Sequence, residues 1–396
     1  MNTERARNIL IRYRFYLFLF FTAFVARAVY WAFAGTQVIG DARGVLAGCD
    51  RLSTVPLAHL TSSRLLYSGY EIPYCLFLEL PGTTIDTWVF VQLVLSSLTC
   101  VLLFVTGRRV VGSIGGWIAG LGFVPLWETF RWIVRPQSEL LFTFLIALTL
   151  WQFSRYRESP TRRSWVLLWA IAGWMALTRP FGIPILLGFL LYDVLPTDHE
   201  LRPNLIPSRV LAIVIFATGI VFIAVGITFL SDRYFGILDF WSRGVIVTGS
   251  VATYAYTPRP ASGFWSFVLF NADHLIIMAV QRVLWVFVPV LPRWSTAHIL
   301  LNLATVAPLI VGGLVGAAVA VRRRARHIGQ MWLTPAVCIL GVIGITYLDG
   351  GFNYRAQLTP LFALLTGYAM TEIEPIAAVI DRVRTLLSDV LAHESR

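Results

Sequence analysis

Apolar runs recur along the chain, separated by short polar stretches that carry most of its arginines. The first run, Phe15 to Ala34, follows Arg5, Arg7, Arg12 and Arg14. At about 1.5 Å per residue it is long enough to cross a bilayer. No small-residue cleavage site follows it, so it reads as a retained span and not as a signal peptide. Arginine clusters beside an apolar run mark the cytoplasmic side, which puts the N-terminus in the cytoplasm and residues 35–85 outside. Span 2, Asp86 to Thr106, returns to Arg108 and Arg109, and span 3, Val110 to Leu126, leads to an outer loop with Glu128, Arg131, Arg135 and Glu139. Span 4 ends at Arg155, Arg157, Arg162 and Arg163. Trp165–Leu177 and Pro180–Leu195 form a hairpin with Arg179 at its outer tip, and Val210–Leu230 is span 7. Ala297–Val321 runs into the Arg322–Arg324 cluster, and Trp332–Leu348 and Gln357–Met370 complete the set. Phe264–Pro289 is apolar but carries Asn271, Asp273, His274, Gln281 and Arg282. Charges inside a span cost about 2.5–3.5 kcal/mol each on insertion scales, so an outer amphipathic or re-entrant segment is expected there.

The expected fold is an all-α polytopic transmembrane helix bundle of about ten spans. Short amphipathic helices are expected in the outer loop after span 1. The chain reads as a single integral membrane domain over residues 1–396, with outer loops at 35–85 and 231–296 and a cytoplasmic tail at 380–396. Both termini are expected to be cytoplasmic, in a multi-pass protein of the cell membrane.

Composition strengthens this picture. The chain is 57% hydrophobic and 13% charged with a mean hydropathy of +0.72, whereas a soluble domain carries roughly 25% charged residues. The net charge of +11 comes from arginine alone, since lysine is absent. Those arginines sit in short clusters between apolar runs, which reads as topogenic charge and excludes a nucleic-acid partner. Cys100 and Cys338 lie in apolar runs. Cys49 and Cys75 share the first loop and either pair, in an oxidising compartment, or remain thiols. No cysteine or histidine cluster suggests a resident metal, and a divalent metal remains open as a cofactor.

Candidate chemistry collects on the outer side. Asp41 and Asp50 lie in the first loop, with Glu71, Glu79, Glu128 and Glu139 on the same face, beside Arg43, Arg131, Arg135, Arg179 and Arg355. A carboxylate serves as general base toward a hydroxyl, and an arginine grips phosphate with its planar fork. Plainer readings stand beside these. Asp41 precedes a stripe of Val45, Leu46, Cys49 and Leu52 at helical spacing and would cap a short helix. Glu139 would complement a helix macrodipole, and Arg179 would be an interfacial anchor before Pro180. Arg27, within span 1, reads as a snorkelling residue or as a bundle-interior partner.

Several stretches follow one another along the chain: Asp41 after span 1, Tyr70-Glu71-Ile72-Pro73-Tyr74, the span from Gln92 to Arg109, Gln137-Ser138-Glu139-Leu140-Leu141-Phe142, Thr178-Arg179-Pro180, and Asn353-Tyr354-Arg355 before a late span. In that order they resemble the GT-C class of membrane glycosyltransferases, in particular the family 39-like group of protein mannosyltransferases and lipid A aminoarabinose transferases. The resemblance implies transfer of a monosaccharide from a polyprenyl-phosphate-linked donor to an acceptor hydroxyl on the outer face, with inversion. Asp41 would be the catalytic base and Asp50 its understudy. Arg43, Tyr70, Glu139, Arg179, Tyr354 and Arg355 would bind donor or acceptor. Partners would be the lipid-linked sugar, a lipid, glycan or protein acceptor, and membrane lipid. The competing classes are a lipid or polysaccharide transporter and a non-catalytic membrane subunit. A carrier would need ionisable residues at mid-bilayer depth, and only Arg27 is an evident candidate.

Overall fold

The computed structural model of the protein describes residues 3–55, 63–194, 259, 261, 264–290, 294–345 and 355–373. Among these residues the chain is helical and contains no strand. In order, α1 is Thr3–Ala34, α2 Asp41–Thr54, α3 Ser68–Leu78, α4 Ile85–Val111, α5 Ser113–Phe123, α6 Trp127–Ile133 and α7 Ser138–Glu158. Then come α8 Arg162–Thr178, α9 Gly182–Val194, α10 Phe264–Phe270, α11 Ala272–Val286, α12 Thr296–Arg322, α13 Thr334–Ile345 and α14 Thr359–Glu372. A short turn, Arg326–Ile328, and a π-turn, Gly329–Leu333, lead into α13.

Four segments are long and apolar enough to cross a bilayer by length and composition: Tyr13–Ala34, Ile85–Val111, Thr296–Arg322 and Arg326–Gly344. Each overlaps a run expected as a span, the last, Arg326–Gly344, beginning six residues before the expected Trp332–Leu348. The count of ten goes beyond these four, and the expected span Val210–Leu230 and tail 380–396 lie outside the described residues. One expected span is divided. The run Val110–Leu126 forms only the 11-residue α5, because Gly112 takes φ 96° at its start and Pro125 cannot extend the backbone ladder beyond its end.

That break explains the fully buried Arg27. In an apolar interior the carbonyls at the end of a short helix must find donors. Arg27 donates to Phe123 O (3.4 Å), Val124 O (3.3 Å) and Ala23 O (3.1 Å), while its Nε–H donates to Ser96 Oγ at 2.7 Å. Arg27 is therefore a bundle-interior partner. Its guanidinium closes the C-terminal end of α5 and ties α1 to α4.

The bundle centre is packed through small residues. A Cβ on Gly367 would sit 2.3 Å from Gly115 O, and one on Gly316 would sit 2.1 Å from Leu365 O. Hydrogen there lets α5, α12 and α14 approach backbone to backbone, as membrane helices do. Two ion pairs close one end of the bundle: Arg109 with Glu158 at 2.9 Å, and Arg323 with Glu372. The other end carries the first loop and the start of α7.

The stretch Phe264–Pro289, expected as an outer amphipathic or re-entrant segment, forms α10 and α11. In α11, Met278, Arg282 and Val286 are buried, while Ile276, Ile277, Val280 and Leu284 are exposed. Arg282 donates to Gly344 O at 3.2 Å. The Arg282 charge is thus turned into the protein, while Asp273 in the first turn is exposed and paired with Arg259 at 2.8 Å.

Candidate active site

The linker after α1 runs beside the segment that leads into α7. Gln37 N–H donates to Val134 O at 2.8 Å, and Gln137 Nε2 donates to Ile39 O at 3.2 Å. Gly40 then turns with φ 55° and ψ −128°, a conformation that a side chain would strain. A Cβ there would lie 4.0 Å from Gln137 Nε2. The turn therefore starts α2, at Asp41, next to Gln137-Ser138-Glu139.

Asp41 is exposed, and Gly40 is the capping residue of α2, with no side-chain cap hydrogen bond. The plain capping reading of Asp41 loses its contact, although a carboxylate in the first turn still suits the helix dipole. Ala42, Val45 and Gly48 are buried, with Cys49 and Leu52 packed on the same side. With 3.6 residues per turn, Asp41 lies about 45° from the middle of that stripe, Asp50 about 135° and Arg43 about 155°. Asp41 thus borders the packed face, whereas Asp50 and Arg43 point away from it. The Nε–H of Arg43 donates to Val38 O at 3.3 Å.

At the start of α7 Glu139 is buried and paired with Arg179 from the α8–α9 tip at 2.7 Å. Arg179 also donates to Ser138 Oγ at 3.3 Å. α3 lies on that same tip, since Trp174 Nε1 donates to Gly69 O at 2.7 Å and a Cβ on Gly69 would meet Thr178 at 2.8 Å. Behind it, the Tyr70 hydroxyl accepts from Trp88 Nε1 (3.0 Å) and donates to Gln92 Oε1 (3.2 Å). Gln92 in turn donates to Ile133 O and Arg135 O, each at 2.8 Å. Burial pushes the Tyr70 hydroxyl well above its usual pKa, and the Glu139 and Glu71 carboxylates push it the same way. It stays protonated at neutral pH and holds the loop before α7 through Gln92. Tyr70, expected as a ligand-binding residue, is fully buried in this network.

Arg355 is also fully buried. Its Nε–H faces both oxygens of Glu128 at 3.0 and 2.9 Å, and its Nη1 donates to Val286 O (3.0 Å) and Val288 O (2.6 Å). A second contact to Glu128 comes from Nη2. Glu128 was expected only as one of several outer carboxylates, and its partner lies 227 residues away, so no local pattern signals the pair. Tyr354 lies outside the described residues. Among the described residues no group of three or more His, Cys, Asp or Glu is placed to hold a metal.

Asp41, Glu139 and Arg179 thus come from three distant parts of the chain to one end of the bundle. Residues 74–228 match the family model of dolichyl-phosphate-mannose-protein mannosyltransferases. The match covers well under half of the chain and takes in Gln92, Glu128, Glu139 and Arg179, while Asp41 precedes it and Arg355 follows it. Comparison with curated proteins and with solved structures gives no match. The matched family and the apolar helices fit a membrane glycosyltransferase.

Proposed function

We propose that the protein transfers a monosaccharide from a polyprenyl-phosphate-linked donor to an acceptor hydroxyl, at the non-cytoplasmic face of the cell membrane. The convergence of Asp41 with the buried Glu139–Arg179 pair, beside a segment matching a mannosyltransferase family, carries this reading. The donor's lipid chain lies in the bilayer and its phosphate at the interface, the depth of the end of α1. Asp41 accepts the acceptor proton as the hydroxyl oxygen attacks the anomeric carbon. The bond from that carbon to the phosphate oxygen breaks, and its electron pair leaves on the polyprenyl phosphate. One displacement inverts the anomeric centre.

Arg179 faces the donor phosphate in this proposal, and Glu139 holds its guanidinium in place. Asp41 is favoured over Asp50 as base because it borders the packed side of α2. Arg355 is assigned to the architecture, since Glu128 and two backbone carbonyls engage it. Both termini are cytoplasmic in this reading, and the chain acts as one membrane domain.

Incubating the purified protein with radiolabelled polyprenyl-phosphate sugars and a membrane extract tests the activity. Release of polyprenyl phosphate in step with labelled product is expected, and a donor that stays intact with every sugar contradicts the proposal. Arg179→Lys tests the phosphate contact, because lysine keeps the charge and loses the fork. Losing one charge-assisted hydrogen bond costs about 1.5–3 kcal/mol, so donor affinity should fall at least about tenfold. Unchanged affinity would leave Arg179 as the counter-ion of Glu139 alone.

A further inference from the structure

α2, the helix that begins at Asp41, is a weak helix taken alone. It has 14 residues, among them Gly44 and Gly48, and glycine is the poorest helix former after proline. Helices of about this length are marginal in water without tertiary packing. Its main packing partner is α3, where a Cβ on Gly48 would make an ordinary contact with the Glu71 carboxylate at 3.4 Å. At that same contact Cys49 of α2 is joined to Cys75 of α3 by a disulfide, with the Cα atoms 5.3 Å apart. α3 is itself fixed to the α8–α9 tip through Gly69 and to α4 through Tyr70.

We infer that the Cys49–Cys75 disulfide is a positioning element of the active site: it docks α2 on the rigid α3 and so fixes the direction in which Asp41 presents its carboxylate. This rests on the function proposed above and adds a requirement to it, that the first loop mature in an oxidising compartment. Neither cysteine touches the reacting atoms. Without the bridge, α2 keeps its tether at Gly40 but loses its clamp. Asp41 then becomes the first residue of a fraying helix. Arg179 and Glu139, held by α7 and the α8–α9 tip, keep their places.

Three measurements test the inference. Thiol counting on unreduced, denatured protein should find two free thiols, those of Cys100 and Cys338; four free thiols would overturn it. In the Cys49→Ser/Cys75→Ser variant, limited trypsin digestion should release peptides ending at Arg43 and Arg51, both exposed on α2, much faster than in wild type. Transfer should fall at least about tenfold through loss of orientation, while donor affinity stays near wild type. Wild-type protein reduced after purification with a phosphine should behave alike, which covers a variant that does not fold. Unchanged digestion at Arg43 and Arg51 would overturn the docking role. Faster digestion with wild-type transfer would overturn the positioning role. The digestion needs no substrate, so failure to find any transfer would strike the proposed function and leave the docking result readable.

Discussion

Asp41→Asn should fold and bind donor as the wild type does, yet lose transfer by at least about 100-fold, because a positioned general base contributes roughly 10²–10⁴. Asparagine keeps the shape of the side chain and is as well tolerated as aspartate at a helix start. Asp41 is exposed and makes no capping bond, so the substitution removes basicity and disturbs little else. Asp50→Asn should cost far less, since Asp50 lies on the far side of α2. Single-turnover transfer with saturating donor isolates the chemical step. Near-normal turnover in Asp41→Asn would leave that residue a helix-start charge, and a collapse in Asp50→Asn would move the base to Asp50.

The second large effect is on stability. Arg355→Ala would leave Glu128 buried without its partner and free the carbonyls of Val286 and Val288. Breaking a buried ion pair by removing one member costs about 3–5 kcal/mol, a large share of the 5–15 kcal/mol typical of a folded protein. Arg355 joins α6, the end of α11 and the entry to α14, so its loss should loosen all three. The expected outcome is a thermal unfolding midpoint in detergent far below wild type, with Arg355→Lys between the two. A midpoint equal to wild type together with lost donor binding would instead make Arg355 a donor ligand.

These two residues also mark what the sequence made legible. Asp41 follows an apolar run directly, and its stripe of Val45, Cys49 and Leu52 is periodic, so both the helix and its packed side could be read from spacing. The segments Tyr13–Ala34, Ile85–Val111, Thr296–Arg322 and Arg326–Gly344 were legible for a similar reason, as apolar runs bounded by arginines. The Glu128–Arg355 pair was not, because it is made entirely by tertiary packing. The run Val110–Leu126 looks continuous in composition, and its division depends on a glycine at φ 96° and on a cap supplied by Arg27 from another helix. The contact of Arg282 was not legible either: a charge in an apolar segment says only that it must avoid lipid, and its hydrogen bond to a backbone carbonyl inside the protein is made by tertiary packing. Arg27 bears on the transport alternative too. The ionisable group within span 1 is engaged with Ser96 and backbone carbonyls, so it is held as a structural partner.

Transfer and transport separate most directly in proteoliposomes. Purified protein is reconstituted with a radiolabelled polyprenyl-phosphate monosaccharide and acceptor extract, and the label is followed both by chemical form and by side of the bilayer. The account predicts that label leaves the lipid phosphate, appears in a new acceptor-linked product, and is matched mole for mole by free polyprenyl phosphate, all of it lost in Asp41→Asn. Label that crosses the bilayer still attached to its original lipid, with no polyprenyl phosphate released, would contradict it.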